Sequence, residues 1–226
     1  MHPRDDAFQR DLARVSRWQR LAQLIASIVT LLVLLGAVLT FCSQAKAAAA
    51  PLPPQASLAY RSDLVRTARA VWGLNAPVAA FAAQVHQESA WKPGAVSHVG
   101  AAGLAQFMPA TSKWIAGIDP ALQLNQPFNP AWALRALVRY DLWLFERTPK
   151  SYSDRDRMWV ALRAYNGGLG HWQAEARNAV GTDRAAIDAA CGTAKRARVH
   201  CIENLGYPRR ILIDLQPRYL TWGRGL

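Results

Sequence analysis

The sequence predicts an all-α domain behind an N-terminal apolar segment. Two observations carry that expectation. Apolar residues recur at helical spacing with no clean alternating run, and prolines and capping residues open the runs. The 226 residues hold one core of ordinary size plus an appendage, with no internal repeat. A mean hydropathy of −0.04 and an apolar share of 51% are globular rather than disordered values.

Taken in order, the first element is the apolar segment. Residues 1–20 carry Arg4, Arg10, Arg14, Arg17 and Arg20 against three Asp, and no charge then falls until Lys46. The stretch over 21–42 is long enough to cross a bilayer, which takes roughly 20 residues. The positive-inside rule leaves 1–20 in the cytoplasm and sends the rest outward, to the periplasm. Ala45-Lys46-Ala47 fits a signal-peptidase site, with cleavage after Ala47. A long basic region and a long apolar core fit a retained anchor instead; either way residues 48–226 are exported. Cys42 follows Phe41, a poor setting for lipid modification. Residues 43–57, with Pro51, Pro53 and Pro54, read as a stiff linker before a domain at 58–226.

Within that domain, Asn75-Ala76-Pro77 starts a helix, and Val78, Phe81, Ala82 and Val85 repeat along it until Pro93-Gly94. Asn129-Pro130 opens a second, with Ala133, Ala136, Leu137, Tyr140, Leu144 and Phe145 on one face. Ser153 with Asp156 is a capping-box-like start to a third, which ends at Gly167-Gly168. Shorter helices are expected over His171–Val180 and Arg184–Ala190.

Charge bounds the partners. There are 27 Lys and Arg against 15 Asp and Glu, a net +12, and residues 48–226 alone keep +9. Such a surface attracts nucleic acid, anionic lipid or an anionic wall polymer, and charge does not choose among them. Export argues against nucleic acid. Lys195-Arg196-Ala197-Arg198 and Arg209-Arg210 read as solvated charges. Cys191 and Cys201 most simply form a disulfide in an oxidising compartment. A zinc site using Cys191, His200 and Cys201 is the alternative, but it lacks a fourth ligand.

The informative feature is an isolated acid. Between Asp63 and Asp119 the only acidic residue is Glu88, on or beside the buried stripe of its helix and near its C-terminal end. Burial and the negative end of the helix dipole both disfavour the carboxylate. A general acid needs such a raised pKa at neutral pH. A surface Glu at a helix end is the plain alternative. Downstream, Gly100 and Gly103 allow close backbone approach, and Gln106 offers a donor and an acceptor. Tyr165 and Asn166 bring a phenol and an amide to a helix end. His86 reads as a packed or surface histidine, and Trp132, Trp143 and Trp159 as core, whereas Trp91, three residues after Glu88, is a candidate sugar platform.

Four motifs in order carry a resemblance: Glu88-Ser89; Gly103-Leu104-Ala105-Gln106 followed by Phe107-Met108-Pro109-Ala110-Thr111; Ala164-Tyr165-Asn166; and Glu203 with Tyr207 four residues on. Over about residues 60–215 the chain resembles lytic transglycosylases of the soluble type, glycoside hydrolase family 23, which are related to goose-type lysozymes. Ala105 departs from the usual Met and removes no catalytic group. The resemblance implies a lysozyme-like all-α fold acting on peptidoglycan glycan strands with no metal or organic cofactor. It implies a single Glu that serves first as acid to the glycosidic oxygen between N-acetylmuramic acid and N-acetylglucosamine. The same Glu is then base to the muramoyl 6-hydroxyl, which closes onto C1 as a 1,6-anhydro end. By position Glu88 is the acid/base. Ser89 orients it or meets substrate, Gln106, Tyr165 and Asn166 line the cleft, and Tyr165 is the expected partner of Glu88. Glu203 and Tyr207 are expected as wall or scaffold. Asp119, Asp141, Asp154 or Glu203 could reach Glu88 only through folding. A goose-type hydrolase and a non-catalytic wall-binding component are the competing functions. The setting fits local wall opening for a secretion or conjugation machine, or a phage.

Overall fold

The computed structural model describes residues 23–34 and 51–226, and the chain divides into two units, Met1–Ala49 and Ala50–Leu226. Of the first unit, one helix is described, α1 over residues 23–34. Its two hydroxyls are tied back to its own backbone: Ser27 Oγ donates to the Gln23 carbonyl at 2.9 Å and Thr30 Oγ1 to Ala26 at 2.9 Å. Among the described residues no helix is long and apolar enough to cross a membrane. The expected span over 21–42 reaches beyond the described residues, and the basic segment 1–20 and the cleavage position after Ala47 lie outside them.

The second unit is all-helical, with no strand among the described residues. It comprises α2 (Arg61–Trp72), α3 (Val78–Ser89), α4 (Pro109–Ala116), α5 (Pro130–Phe145), α6 (Asp154–Gly167), α7 (Leu169–Asn178), α8 (Arg184–Ala189) and α9 (Cys201–Arg209). The π-helical turn Arg210–Leu215 and 3-10 turns at Gln55–Tyr60, Pro120–Leu122, Arg198–His200 and Gln216–Tyr219 complete it. At its centre α3 is buried at every position from Val78 to Val85. Four alanines in that run let α2, the π-helical turn and the last 3-10 turn pack against it, while α5, α6 and α9 pack in series beside it.

The local signals explain the starts. Asn129 Oδ1 accepts from the Ala131 and Trp132 amides at 3.0 and 3.3 Å, and Pro130 follows it. Ser153 Oγ accepts from the Asp156 amide at 3.1 Å. One end differs from expectation: α3 stops at Ser89, because Ala90 (φ 49°) and Trp91 (φ 65°) take the left-handed region. Burial of Trp91 holds that reversal. Its ring is 1% exposed, stacks on Tyr60 and donates its indole N–H to Tyr219 Oη at 2.8 Å. Trp91 is therefore a strut and not a sugar platform.

Three helices, α2, α4 and α9, lie outside the runs expected from the sequence. In α2 the two buried residues Leu64 and Ala68 lie among charges, and α9 contains Pro208 and runs into the π-helical turn. Cys191 and Cys201 are joined in a disulfide with Cα atoms 5.9 Å apart, which uses the thiols the zinc reading needed. Arg196 corrects the view of its run as solvated. It is 8% exposed, with Nε on Glu175 Oε1 at 2.9 Å, because Glu175 is buried and needs cations.

Candidate active site

Glu88 stands in the last turn of α3, one turn after the buried Gln84, with its carboxyl in a cleft of about 310 Å³. Gln106, Phe107, Tyr140, Tyr165, Asn166 and Glu203 line the same cleft. Burial pushes the Glu88 carboxyl from its ordinary 4.5 up to about 8. The Tyr207 hydroxyl, which donates to Glu88 Oε1, works against that shift, and the nearby Glu203 charge adds to it. At neutral pH the carboxyl therefore carries its proton into the cleft.

The wall opposite comes from the loop between α3 and α4. Two isolated antiparallel pairs, Val96 with Ala102 and Ala102 with Phe107, fold this loop on itself. Gly103 is required there: its φ is +75°, and a Cβ would lie 1.9 Å from the Pro127 carbonyl oxygen. Gln106, at φ 48°, donates through Nε2 to the Gly103 carbonyl at 2.9 Å and to Ala95 at 3.1 Å. Its amide nitrogen thereby braces the loop.

The third wall is the end of α6 against α9. Tyr165 Oη donates to the Ala105 carbonyl at 2.7 Å, fastening α6 to the loop. Asn166 donates to Glu203 Oε1 at 3.3 Å and accepts from Asn204 Nδ2 at 3.0 Å. Beneath lies a buried ionic cluster. Arg163, fully buried, reaches Glu175 Oε2 and Asp188 Oδ1, both at 2.7 Å, and Asn204 Oδ1 at 3.0 Å. Arg196 completes Glu175 and donates to the Gly167 carbonyl. A Cβ at Gly167 would fall 2.3 Å from Arg196 Nη1 and 2.5 Å from Asn204 Nδ2, so a larger residue after Tyr165-Asn166 would have to displace these side-chain ends.

The structure thus brings Glu88, Gln106, Tyr165 and Asn166 into one cleft and leaves Ser89 out of it. The Ser89 hydroxyl is buried and donates to the Val85 carbonyl at 3.3 Å. The phenol on Glu88 is Tyr207 rather than Tyr165, because α9 packs across α6 and Tyr165 is spent on Ala105. Tyr207 was expected only as scaffold; its four-residue spacing from Glu203, which puts both on one face of α9, was the available signal. Gln84 and Asp141, buried against each other below Glu88, were not paired by any sequence signal. His86 is a packing residue, with Nδ1 2.9 Å from Tyr219 Oη. A second groove, lined by Trp114, Trp143 and Leu169, shares Thr111 and Tyr140 with the cleft and so continues it.

An all-helical domain with one proton-bearing carboxyl on the floor of a polar, aromatic cleft defines a lysozyme-like class of protein. A family model described as the transglycosylase SLT domain matches residues 66–187. The chain belongs to that family. Among relatives, the membrane-bound lytic murein transglycosylase F of Maricaulis maris is 40% identical over 91 residues, 40% of this chain and 18% of that protein. The protein of the same name from Shewanella denitrificans is 35% identical over 103 residues, 46% and 19% of the two chains. The chain therefore spans under a fifth of the length of these relatives. The 70-kDa soluble lytic transglycosylase of Escherichia coli shares the fold, with a TM-score of 0.54 and 23% identity over 72% of this chain and 24% of that one. A complex of the 70-kDa soluble lytic transglycosylase with bulgecin A also gives 0.54, at 26% identity over 75% and 26%.

Proposed function

We propose that this chain is a peptidoglycan lytic transglycosylase that cleaves the bond between N-acetylmuramic acid and N-acetylglucosamine and leaves 1,6-anhydromuramoyl ends. The observation that carries this is the state of Glu88: a carboxyl protonated at neutral pH, aimed by Tyr207 into the cleft. Glu88 gives its proton to the leaving glycosidic oxygen as the bond to C1 breaks. The resulting carboxylate then takes the proton of the muramoyl 6-hydroxyl as that oxygen closes onto C1. One group serves in both steps, and the intramolecular nucleophile supplies effective concentration in place of an activated water. Gln106, Tyr165 and Asn166 are read as cleft groups that meet substrate or hold its walls, and the Trp114–Trp143 groove as a stacking surface for a more distant sugar ring.

The relatives' names, membrane-bound, support a membrane-associated setting; the periplasm, the N-terminal segment as anchor or signal, and local wall opening as the role rest on the sequence reading. The deciding experiment is mass spectrometry of muropeptides released from purified sacculi by the full-length chain, beside Glu88→Gln. Anhydro ends that vanish in the variant are the expected result. Glu203, a second carboxyl in the cleft, gives a goose-type hydrolase its one foothold. Reducing ends would establish that reading, and binding without release by either protein would leave a wall-binding component.

A further inference from the structure

We infer that Asp141 is held as a neutral carboxylic acid, doubly hydrogen-bonded to the Gln84 amide, and that this pair positions Glu88 without sharing its chemistry. The positioning role rests on the reading of Glu88 as the acid/base. Both side chains are fully buried, Gln84 on α3 and Asp141 on α5. One hydrogen bond joins them, from Gln84 Nε2 to Asp141 Oδ1 at 3.3 Å. The other oxygen of each group, Gln84 Oε1 and Asp141 Oδ2, is buried and has no partner among the described residues.

Two orphaned acceptors on one amide and one carboxyl have a single economical remedy. A proton on Asp141 Oδ2 turns that atom into a donor to Gln84 Oε1, closing a planar acid–amide ring with two hydrogen bonds and no buried unpaired oxygen. The groups acting electrostatically with Asp141 give it no reason to ionise. They are Glu88 from α3, Tyr140 from its own helix, Tyr165 from α6 and Tyr207 from α9, all of them acids. Burial holds the Asp141 carboxyl well above the ordinary carboxylate range; the Gln84 N–H works against that shift, and Glu88 adds to it once Glu88 itself ionises.

The consequence concerns Glu88. Gln84 and Glu88 are one turn apart on the same side of α3, so the ring pins that turn to α5, whose Tyr140 lines the cleft. A neutral Asp141 also adds no charge behind the cleft, whose own carboxyls are Glu88 and Glu203. Asp141 is then a positioning residue, and not the second carboxylate of a two-acid glycosidase.

The test uses the full-length chain with carboxyl-labelled aspartate. Infrared difference spectra of wild type against Asp141→Asn are expected to show a protonated-acid carbonyl band at neutral pH that the variant lacks. A carboxylate band in its place would overturn the proposal. In kinetics, Asp141→Asn keeps both hydrogen bonds and is expected to retain kcat and the alkaline limb of the pH profile. Asp141→Leu cannot pair with Gln84 and is expected to lose at least about ten-fold in kcat through misplacement of Glu88. If Asp141→Asn moves the alkaline limb to lower pH, a charge next to Glu88 has been removed and the neutral assignment is wrong. If Asp141→Leu keeps wild-type kcat, the positioning role is wrong. Activity retained by Glu88→Gln would overturn the acid/base reading and the positioning role with it, while the infrared band decides the protonation of Asp141 separately.

Discussion

Glu88 illustrates how one residue trades stability for chemistry. Its carboxyl is pushed from 4.5 in an unfolded chain to about 8 in the fold. Because the folded value is the higher one, its contribution to stability is fully present below about pH 4.5 and is lost as pH rises toward 8. Each unit between those values costs about 1.4 kcal/mol, so at pH 7 the strain is at most on the order of 3 kcal/mol. Glu88→Gln is therefore expected to abolish glycan cleavage and to raise the melting temperature at pH 7. Melts at pH 4 and pH 7 check this, since the gain must shrink at the lower pH. Tyr207 works on the same group from the other side. Its hydrogen bond favours the carboxylate, so Tyr207→Phe should raise the Glu88 pKa and carry the alkaline limb of kcat to higher pH. A loss of aim should lower kcat at the optimum by about ten-fold or more. A pH–rate profile separates the two effects.

At the scale of elements, the cleft depends on α9, which reaches Glu88 from 119 positions away. Two devices hold α9 in place: Asn204, which donates to the Arg163 carbonyl of α6 at 2.8 Å and accepts from the Arg163 side chain, and the Cys191–Cys201 bridge, which ties its first residue to the segment after α8. Removing the bridge with paired Cys→Ser changes frees the loop before α9. A loss of roughly 2–3 kcal/mol in stability is expected from denaturant titration. Glycan cleavage should fall with it, because Tyr207 and Glu203 lie on the released helix. The helix starts at Pro130 and Asp154 were legible because caps act within three residues. By contrast α9 was not, since Pro208 and the π-helical turn break the 3.6-residue repeat that makes a helix visible.

For the whole molecule, the charge of residues 48–226, a net +9, is a property of the surface rather than of the fold. Binding to purified sacculi should weaken as salt rises from about 0.05 to 0.5 M, because exposed charges are screened beyond a Debye length. A pull-down across that range tests it, and salt-independent binding would place recognition in the hydrogen-bonding and aromatic groups of the cleft instead.

The sequence by itself determined the helical class, the solitary acid at Glu88 and the motifs around Gln106, Tyr165 and Asn166. Those are local facts: a periodicity, a cap, or the count of acids between Asp63 and Asp119. Only the tertiary structure decided that Tyr207 and not Tyr165 holds Glu88, that Ser89 turns away to its own helix, and that Gln84 meets Asp141. Those pairings join residues that packing alone brings together, and a buried polar atom takes whichever partner the neighbouring helix presents.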